Sequence, residues 1–223
     1  MSGAVVGFDT ATPATAAALL RADGRVFEAR DDPAPGERPQ HASRLLELVE
    51  AVLAQAGTGW GDVGRIAVGV GPGGFTGLRI GVATARALAQ ARGLPVVGVS
   101  SLEALAAGAS GPVAAVIDAR RGEVFAAAWR DGRRVIDPAA YAPPALAERL
   151  APLAPLLAVG DGAVRFSEEL TAAGAAIPPE GSPEHRISAA HICRLGARGE
   201  PADRDALLPD YRREPDAKPS SPR

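Results

Sequence analysis

A glycine-rich segment after an apolar stretch is the part of this sequence whose residue types and spacing could bind a ligand. Gly69, Gly71 and Gly74 match the pattern G-x-G-x-x-G, which in dinucleotide-binding proteins lets the backbone approach a pyrophosphate at the start of a helix. Two requirements are missing, because the predicted strand 96–99 ends without an acidic residue for a ribose and no lysine follows Gly74 as in a P-loop. The segment favours a tight turn that brings a helix close to its neighbour, with a phosphate site as the alternative.

Two aspartates stand at the ends of predicted strands, where catalytic carboxylates often lie. Asp9 and Asp118 each precede small or polar residues. In duplicated folds such carboxylates can hold magnesium at nucleotide phosphates, whereas the simpler alternative is a turn, which Asp-Thr and Asp-Ala start readily. The candidate nucleotide-binding residues are Asp9, Thr10, Gly71, Gly73 and Gly74.

The other reactive side chains form no recognisable catalytic or metal-binding set. His41 is followed one helical turn later by Leu45, so it has no second histidine at the spacing of a zinc pair. His185 and His191 are six residues apart, which is also not the spacing of a zinc pair. The single cysteine, Cys193, excludes an internal disulfide and fits a reducing cytoplasm. We therefore predict no catalytic residue, no metal ligand and a cytoplasmic location.

The elements that must position these residues occur in the same order in both halves of the chain. Each half predicts three strands, a helix, a strand and a helix, with hairpin turns at Asp23-Gly24 and Asp131-Gly132. The predicted strands are 5–9, 16–21, 25–30, 65–70, 96–99, 113–118, 124–129, 133–136 and 156–159, and the predicted helices are 40–56, 76–91, 141–150, 164–173 and 188–195. The duplication indicates two similar α/β domains that face each other across a cleft.

The helix predicted over residues 76–91 carries small side chains along its whole length, with apolar or small residues on nearly every side. A helix of this kind is covered on more than one side. One face packs on the chain's own sheet, and a second face, such as Ile80, Thr84, Ala87 and Ala91, could meet a partner helix. Periodicity alone leaves both interpretations open and mildly favours a partner.

The composition limits what the protein binds. The formal net charge is -2 over 223 residues, whereas a chain that binds nucleic acid alone usually carries a strong basic excess. No apolar run approaches the roughly 18 residues of a membrane span, and the N-terminus lacks the basic region of a signal peptide. Any RNA contact should therefore need a partner or a local patch, and no membrane association is expected.

Several segments, taken in order, resemble the bacterial TsaB (YeaZ) family. The longest begins at Gly71-Pro-Gly-Gly-Phe-Thr-Gly-Leu-Arg-Ile-Gly and continues through the following helix. Shorter ones are Gly7-Phe-Asp-Thr-Ala-Thr, Leu94-Pro-Val-Val-Gly-Val-Ser-Ser-Leu-Glu, Asp118-Ala-Arg-Arg-Gly-Glu-Val-Phe-Ala and Leu208-Pro-Asp-Tyr-Arg-Arg. The resemblance spans residues 3–214 and departs at Gly74, where the family commonly has serine, which slightly weakens the phosphate interpretation.

The resemblance implies a fold of two ribonuclease-H-like domains of the actin, Hsp70 and sugar-kinase superfamily. We expect domains at 1–99 and 100–208 and an extended tail at 209–223, whose last residues are disordered. It also implies an accessory, non-catalytic role in forming threonylcarbamoyladenosine at position 37 of ANN-decoding tRNAs. The family's two first-domain helices form its usual dimer surface, which places the interface here on Leu45, Val49, Val52, Thr76, Arg79, Ile80, Ala83, Thr84 and Ala87.

The partner implied by the resemblance is the related protein TsaD, with the ATPase TsaE completing the complex. The isolated chain would form a homodimer, and tRNA would be reached through the complex. No cofactor is expected, apart from ATP or ADP with magnesium at the complex interface. The alternative function is an ATP-dependent phosphotransferase or hydrolase of the same superfamily, which would use Asp9 and the loop at Gly71.

Overall fold

Two five-stranded mixed sheets form the framework of the protein, in a computed structural model that describes residues 3–34 and 36–212. The first sheet has the order β3-β2-β1-β4-β5. Its first three strands are antiparallel, and β4 and β5 join in parallel. The strands are β1 (Ala4–Asp9), β2 (Thr15–Leu20), β3 (Val26–Asp31), β4 (Val63–Gly71) and β5 (Val96–Ser100).

The second sheet repeats this topology, with order β10-β9-β6-β7-β8 and β6 in the central position that β1 holds in the first. Its strands are β6 (Val113–Arg120), β7 (Glu123–Arg130), β8 (Arg133–Tyr141), β9 (Leu156–Val159) and β10 (Ala175–Ala176). The helices are α1 (His41–Ala56), α2 (Phe75–Arg92), α3 (Ser101–Ala106), α4 (Pro143–Leu150), α5 (Asp161–Arg165), α6 (Ser167–Ala172) and α7 (Ala189–Arg198). The predicted duplication of an α/β unit is confirmed.

Helices α1 and α2 cover one face of the first sheet. The apolar positions of α1 follow the helical repeat, so Leu45, Val49 and Val52 all turn towards the strands and are at most 1% exposed. Burying each such side chain contributes about 1.5–3 kcal/mol. Gly57 ends α1 in the left-handed conformation, with its N–H bonded back to the helix, as the glycine after residue 56 predicts.

A second core lies between the two sheets. It contains α3, α7 and apolar side chains from both sheets, including Val5 and Ile117. Helix α7, which follows the second sheet in the chain, packs on β1, β2 and β4 of the first. The proposed domain boundary between residues 99 and 100 stays a prediction. Helix α7 comes after this boundary in the chain but packs on the sheet that comes before it.

Several boundaries differ from the predictions. The first hairpin has a three-residue loop, 22–24, because the Gly24 N–H bonds the Arg21 carbonyl and Gly24 then takes a positive φ. The predicted helix 141–150 begins at Pro143, since prolines fit the first helical positions, where no N–H is needed. The predicted helix 164–173 is two short helices, α5 and α6, β8 extends to residue 141, and α3 and β10 were not predicted.

The end of the chain was predicted to be an extended tail. Residues 209–212 carry no helix or strand, and residues 213–223, where disorder was predicted, lie outside the described residues. No helix within the two described ranges is both long and apolar enough to cross a membrane.

Candidate functional site

The glycine loop between β4 and α2 is clamped by the turn that follows β1. Gly74 donates its backbone N–H to the Ala11 carbonyl at 2.7 Å. The Thr10 hydroxyl donates to the Gly77 carbonyl at 2.8 Å, with both groups buried. These bonds join two segments far apart in sequence, so the β1–β2 turn fixes the position and direction of the first turn of α2.

Glycines are required where this turn meets the loop and helix. A Cβ on Gly73 would lie 2.3 Å from the Ala11 carbonyl oxygen, and one on Gly77 would lie 2.0 Å from that of Thr10. Backbone atoms cannot yield such space without moving the helix. Gly71 has a φ of 105°, a conformation that L side chains rarely adopt. The predicted tight turn with close helix approach is confirmed.

Asp9 is buried beneath the loop, with only 2% of its surface exposed. Its carboxylate accepts a hydrogen bond from the Ser101 hydroxyl at 2.6 Å and another from the Ala11 N–H at 2.7 Å. Ser101 in turn accepts the Gly71 N–H at 3.2 Å. The carboxylate therefore anchors the glycine loop through Ser101, a residue that the sequence-based prediction missed.

Burial raises the pKa of the Asp9 carboxyl above its ordinary 3.8, opposed by the hydrogen bonds from Ser101 and Ala11. The folded protein then keeps this proton to a higher pH than the unfolded chain does. For this group alone, the free energy of unfolding should be highest near and below pH ~4 and should fall as pH rises through the folded-state pKa.

We therefore expect the stability of the wild type, relative to Asp9→Asn, to decline in urea unfolding as the pH rises above about 4. Asparagine does not titrate, so the difference between the two proteins isolates the carboxyl group. A relative stability that increases with pH would mean that the two hydrogen bonds outweigh burial and that the pKa is lowered.

A cleft of about 1210 Å³ opens between the two halves of the chain, next to this loop. Of the five predicted nucleotide-binding residues, Thr10, Gly73 and Gly74 line it. Asp9 and Gly71 are not among its lining residues. The structure thus brings all five residues together. The side chains of Asp9 and Thr10, however, are already hydrogen-bonded within the chain, to Ser101 and Gly77 respectively.

The opposite wall of the cleft carries Asp118 and Asp161. One oxygen of Asp118 contacts Arg165 at 2.7 Å and Arg120 at 3.5 Å. Asp161 accepts the backbone N–H groups of Asp118 and Gly162, and burial is the main reason that its pKa is raised. Both carboxylates therefore have protein partners.

His41 was singled out as half of an incomplete metal pair. It is buried at the start of α1, where its Nδ1 lies 2.8 Å from the Thr15 hydroxyl, and burial lowers its pKa. Among the described residues, no group of three or more histidine, cysteine, aspartate or glutamate side chains could hold a metal ion.

The predicted partner interface divides into buried and exposed residues. Leu45, Val49 and Val52 lie in the core between α1 and the first sheet, so they cannot contact a partner without unfolding the helix. This corrects their placement, since the same periodicity that identified the helix points these side chains inward. The exposed large apolar residue of α1 is instead Leu46, at 49%, which follows the buried Leu45.

The residues predicted on α2 form a continuous surface. Thr76, Arg79, Ala83 and Ala87 are exposed. Ile80 and Thr84 are half-buried between this surface and the core. Within the described chain, this helix therefore presents small side chains that nothing covers.

A family model described as TsaD: tRNA N6-adenosine threonylcarbamoyltransferase matches residues 37–160, more than half of the chain. An uncharacterised protein of Mycobacterium tuberculosis is 37% identical over 230 residues, 96% of this chain and 94% of that protein. The tRNA threonylcarbamoyladenosine biosynthesis protein TsaB of Escherichia coli is 41% identical over 135 residues, 58% of this chain and 55% of that protein.

Solved structures include a YeaZ protein and a sugar kinase that are similar to this chain. YeaZ from Pseudomonas aeruginosa superposes with a TM-score of 0.77 at 32% sequence identity, covering 94% of this chain and 99% of that chain. The ROK hexokinase from Thermus thermophilus superposes with a TM-score of 0.52 at 14% identity, covering 87% and 99%. The hexokinase likeness concerns the fold alone and confirms the sugar-kinase type of fold predicted above.

Proposed function

The chain belongs to the TsaB (YeaZ) family, and we propose that it is an accessory subunit of tRNA threonylcarbamoyladenosine biosynthesis. In this proposal it binds a TsaD homologue through α1 and α2 and enables that protein to transfer the threonylcarbamoyl group to adenosine 37 of ANN-decoding tRNAs. It supplies no catalytic residue of its own. A TsaE-type ATPase completes the complex, and tRNA is reached through it.

The observation that carries this proposal is the uncovered small-residue face of α2. Ala83 and Ala87 are exposed next to the half-buried Thr84, so another helix can approach the α2 backbone closely. An exposed strip of small and apolar side chains on a rigid helix is typical of a surface that a partner covers. Helix α2 is rigid here because the β1–β2 turn clamps its first turn.

Charge and homology favour a related protein as the partner. Helix α2 contains three arginines and no acidic residue, whereas Glu47 and Glu50 are exposed on α1. A twofold or near-twofold axis between two related chains allows each α2 to lie beside the other's α1, and in that arrangement unlike charges face each other. The TsaD family model covers both helices, so a TsaD homologue is expected to carry a similar pair. The same symmetry permits a homodimer when TsaD is absent.

The carboxylates support a non-catalytic role. A kinase or hydrolase of this superfamily would use Asp9 to reach magnesium or a nucleotide phosphate. Here Asp9 is buried and occupied by Ser101 and Ala11, and the Asp118 carboxylate is paired with Arg165 and Arg120. Freeing either group would break buried or charge-assisted hydrogen bonds, each worth about 1–3 kcal/mol.

Titration calorimetry with two ligands tests the proposal against the enzymatic alternative. We expect the isolated chain to bind its cognate TsaD protein and to give no binding heat with ATP and magnesium, because the Gly74 N–H that would meet a phosphate already bonds the Ala11 carbonyl. Binding of the nucleotide together with failure to bind TsaD would favour the phosphotransferase or hydrolase.

A further inference from the structure

The C-terminal part of the described chain runs from the edge of the first sheet onto the start of α2. We call residues 202–212 the C-terminal strap. Ala202 pairs with β5, and Leu207 is 5% exposed in the core beneath α1 and α2. The N–H of Asp210 then bonds a carbonyl near the end of β4 at 2.7 Å. These attachments hold Tyr211 at the first turn of α2, although it lies close to the end of the described chain.

Tyr211, Phe75 and Arg79 form a cluster on the surface, which we call the aromatic cluster. The two ring centres are 5.3 Å apart, and the guanidinium carbon of Arg79 lies 3.8 Å from the centre of the Phe75 ring. The Arg79 Nε donates a hydrogen bond to the Tyr211 hydroxyl at 3.1 Å. The rings therefore fix the direction of the guanidinium group, which has no ion pair among the described residues.

The exposure of this cluster is unusual for the molecule. In the part of the chain that the structure describes, most of the large apolar side chains that are exposed lie on α1, on the first turn of α2 or on the strap, and the exception, Val135, is on β8. The four are Leu46 on α1 at 49%, Phe75 on α2 at 48%, and Leu208 and Tyr211 on the strap at 65% and 46%. Of these, Phe75 and Tyr211 are in ring contact, and neighbouring exposed apolar groups of this kind mark a surface that is covered in the assembled state.

The cluster is continuous with the small-residue face of α2. Phe75, Arg79, Ala83 and Ala87 are spaced by four along the helix and lie in one row. A partner helix that covers Ala87 and follows this row reaches the aromatic cluster at its other end. Aromatic and arginine side chains are also the residue types that most often dominate binding energy at protein interfaces.

We propose that the aromatic cluster is the anchor of the interface with the TsaD homologue and that the strap supplies Tyr211 to it. This inference rests on the proposed function and adds a segment outside the two helices. The partner would place an apolar side chain against the two rings and a carboxylate on Arg79. The strap lies outside residues 37–160, the region that the TsaD family model matches.

Affinity measurements with the cognate TsaD protein and the full-length chain test this inference. Tyr211→Ala should weaken binding by about 10- to 30-fold. Tyr211→Phe keeps the ring and loses only the acceptor for Arg79, so it should weaken binding by about two- to threefold. Val135→Ala is the matched control, because Val135 is also 46% exposed but lies on β8 of the second sheet. Thermal unfolding should show that all three variants are folded.

The outcomes separate this inference from the proposed function. If Tyr211→Ala binds TsaD within about twofold of Val135→Ala while Ala87→Glu does not bind, the aromatic cluster lies outside the interface and the inference is overturned, although the accessory function stands. If the wild-type chain does not bind TsaD at all, both proposals fail. A large loss for Tyr211→Ala, a small one for Tyr211→Phe and none for Val135→Ala would confirm the anchor.

Discussion

Replacing Ala87 by glutamate should abolish binding to the TsaD homologue while leaving the free chain folded. Ala87 is exposed in the middle of α2, and alanine to glutamate in a helix costs less than about 0.7 kcal/mol. In the complex, the longer side chain would hold the two helices apart and bury a charge without a partner, at a cost of about 3–5 kcal/mol. Affinity should fall by more than about 100-fold.

Ala145→Glu provides the matched control for this variant. Ala145 is an exposed alanine on α4 of the second half, so its replacement makes the same change in size and net charge far from the proposed interface. Both variants should unfold close to the wild-type temperature, and only Ala87→Glu should fail to copurify with TsaD. Equal retention of the two variants would mean that α2 is not the partner surface.

Gly77→Ala, in the first turn of α2, should cause a large loss of stability. The new Cβ would lie 2.0 Å from the Thr10 carbonyl oxygen, so α2 must move away from the β1–β2 turn. That movement breaks the buried hydrogen bond from Thr10 to Gly77. Steric strain of about 1–3 kcal/mol and a lost buried hydrogen bond of about 1–3 kcal/mol outweigh the helix propensity of alanine, about 1 kcal/mol.

The control for this variant lies three residues earlier, at the residue that precedes α2. A Cβ on Gly74 would come no closer than 3.5 Å to the Ala11 carbonyl oxygen, and Gly74 already has a φ of -63°. Gly74→Ala should therefore change the free energy of unfolding by less than about 1 kcal/mol, whereas Gly77→Ala should lower it by roughly 2–4 kcal/mol. Urea unfolding measures both. Similar values for the two would contradict the close packing of the β1–β2 turn on α2.

Local sequence signals were sufficient for the framework of the fold. The apolar repeat of α1 and the glycine after it fixed both ends of that helix within one residue. Asp131 and Gly132 both take positive φ in a two-residue turn, as the Asp-Gly pair predicts. The duplicated order of strands and helices gave the two-sheet architecture, because each half carries the same alternation of strand and helix signals.

Features that depend on contacts between distant segments were not predicted. The hydrogen bond between Asp9 and Ser101 joins the last residue of β1 to the first residue of α3, and it leaves no local signal in the sequence. Helix α3 did have a local signal in the sequence. Ser100 is its N-cap and accepts the backbone N–H of Glu103, and a serine followed three residues later by a glutamate is visible in the sequence. Leu45 was assigned to the interface because its helix was expected there, although periodicity could have shown that Leu46 is the exposed neighbour.

The most direct test of the central claim is a reconstitution that measures threonylcarbamoyladenosine in tRNA by mass spectrometry. The reaction would contain the cognate TsaD and TsaE proteins, the threonylcarbamoyl-adenylate donor and an ANN-decoding tRNA. We expect product with the wild-type chain and with Ala145→Glu, and none when the chain is omitted or replaced by Ala87→Glu. Product formation at the wild-type rate without the chain, or with Ala87→Glu, would contradict the claim that this protein acts by binding TsaD through α2.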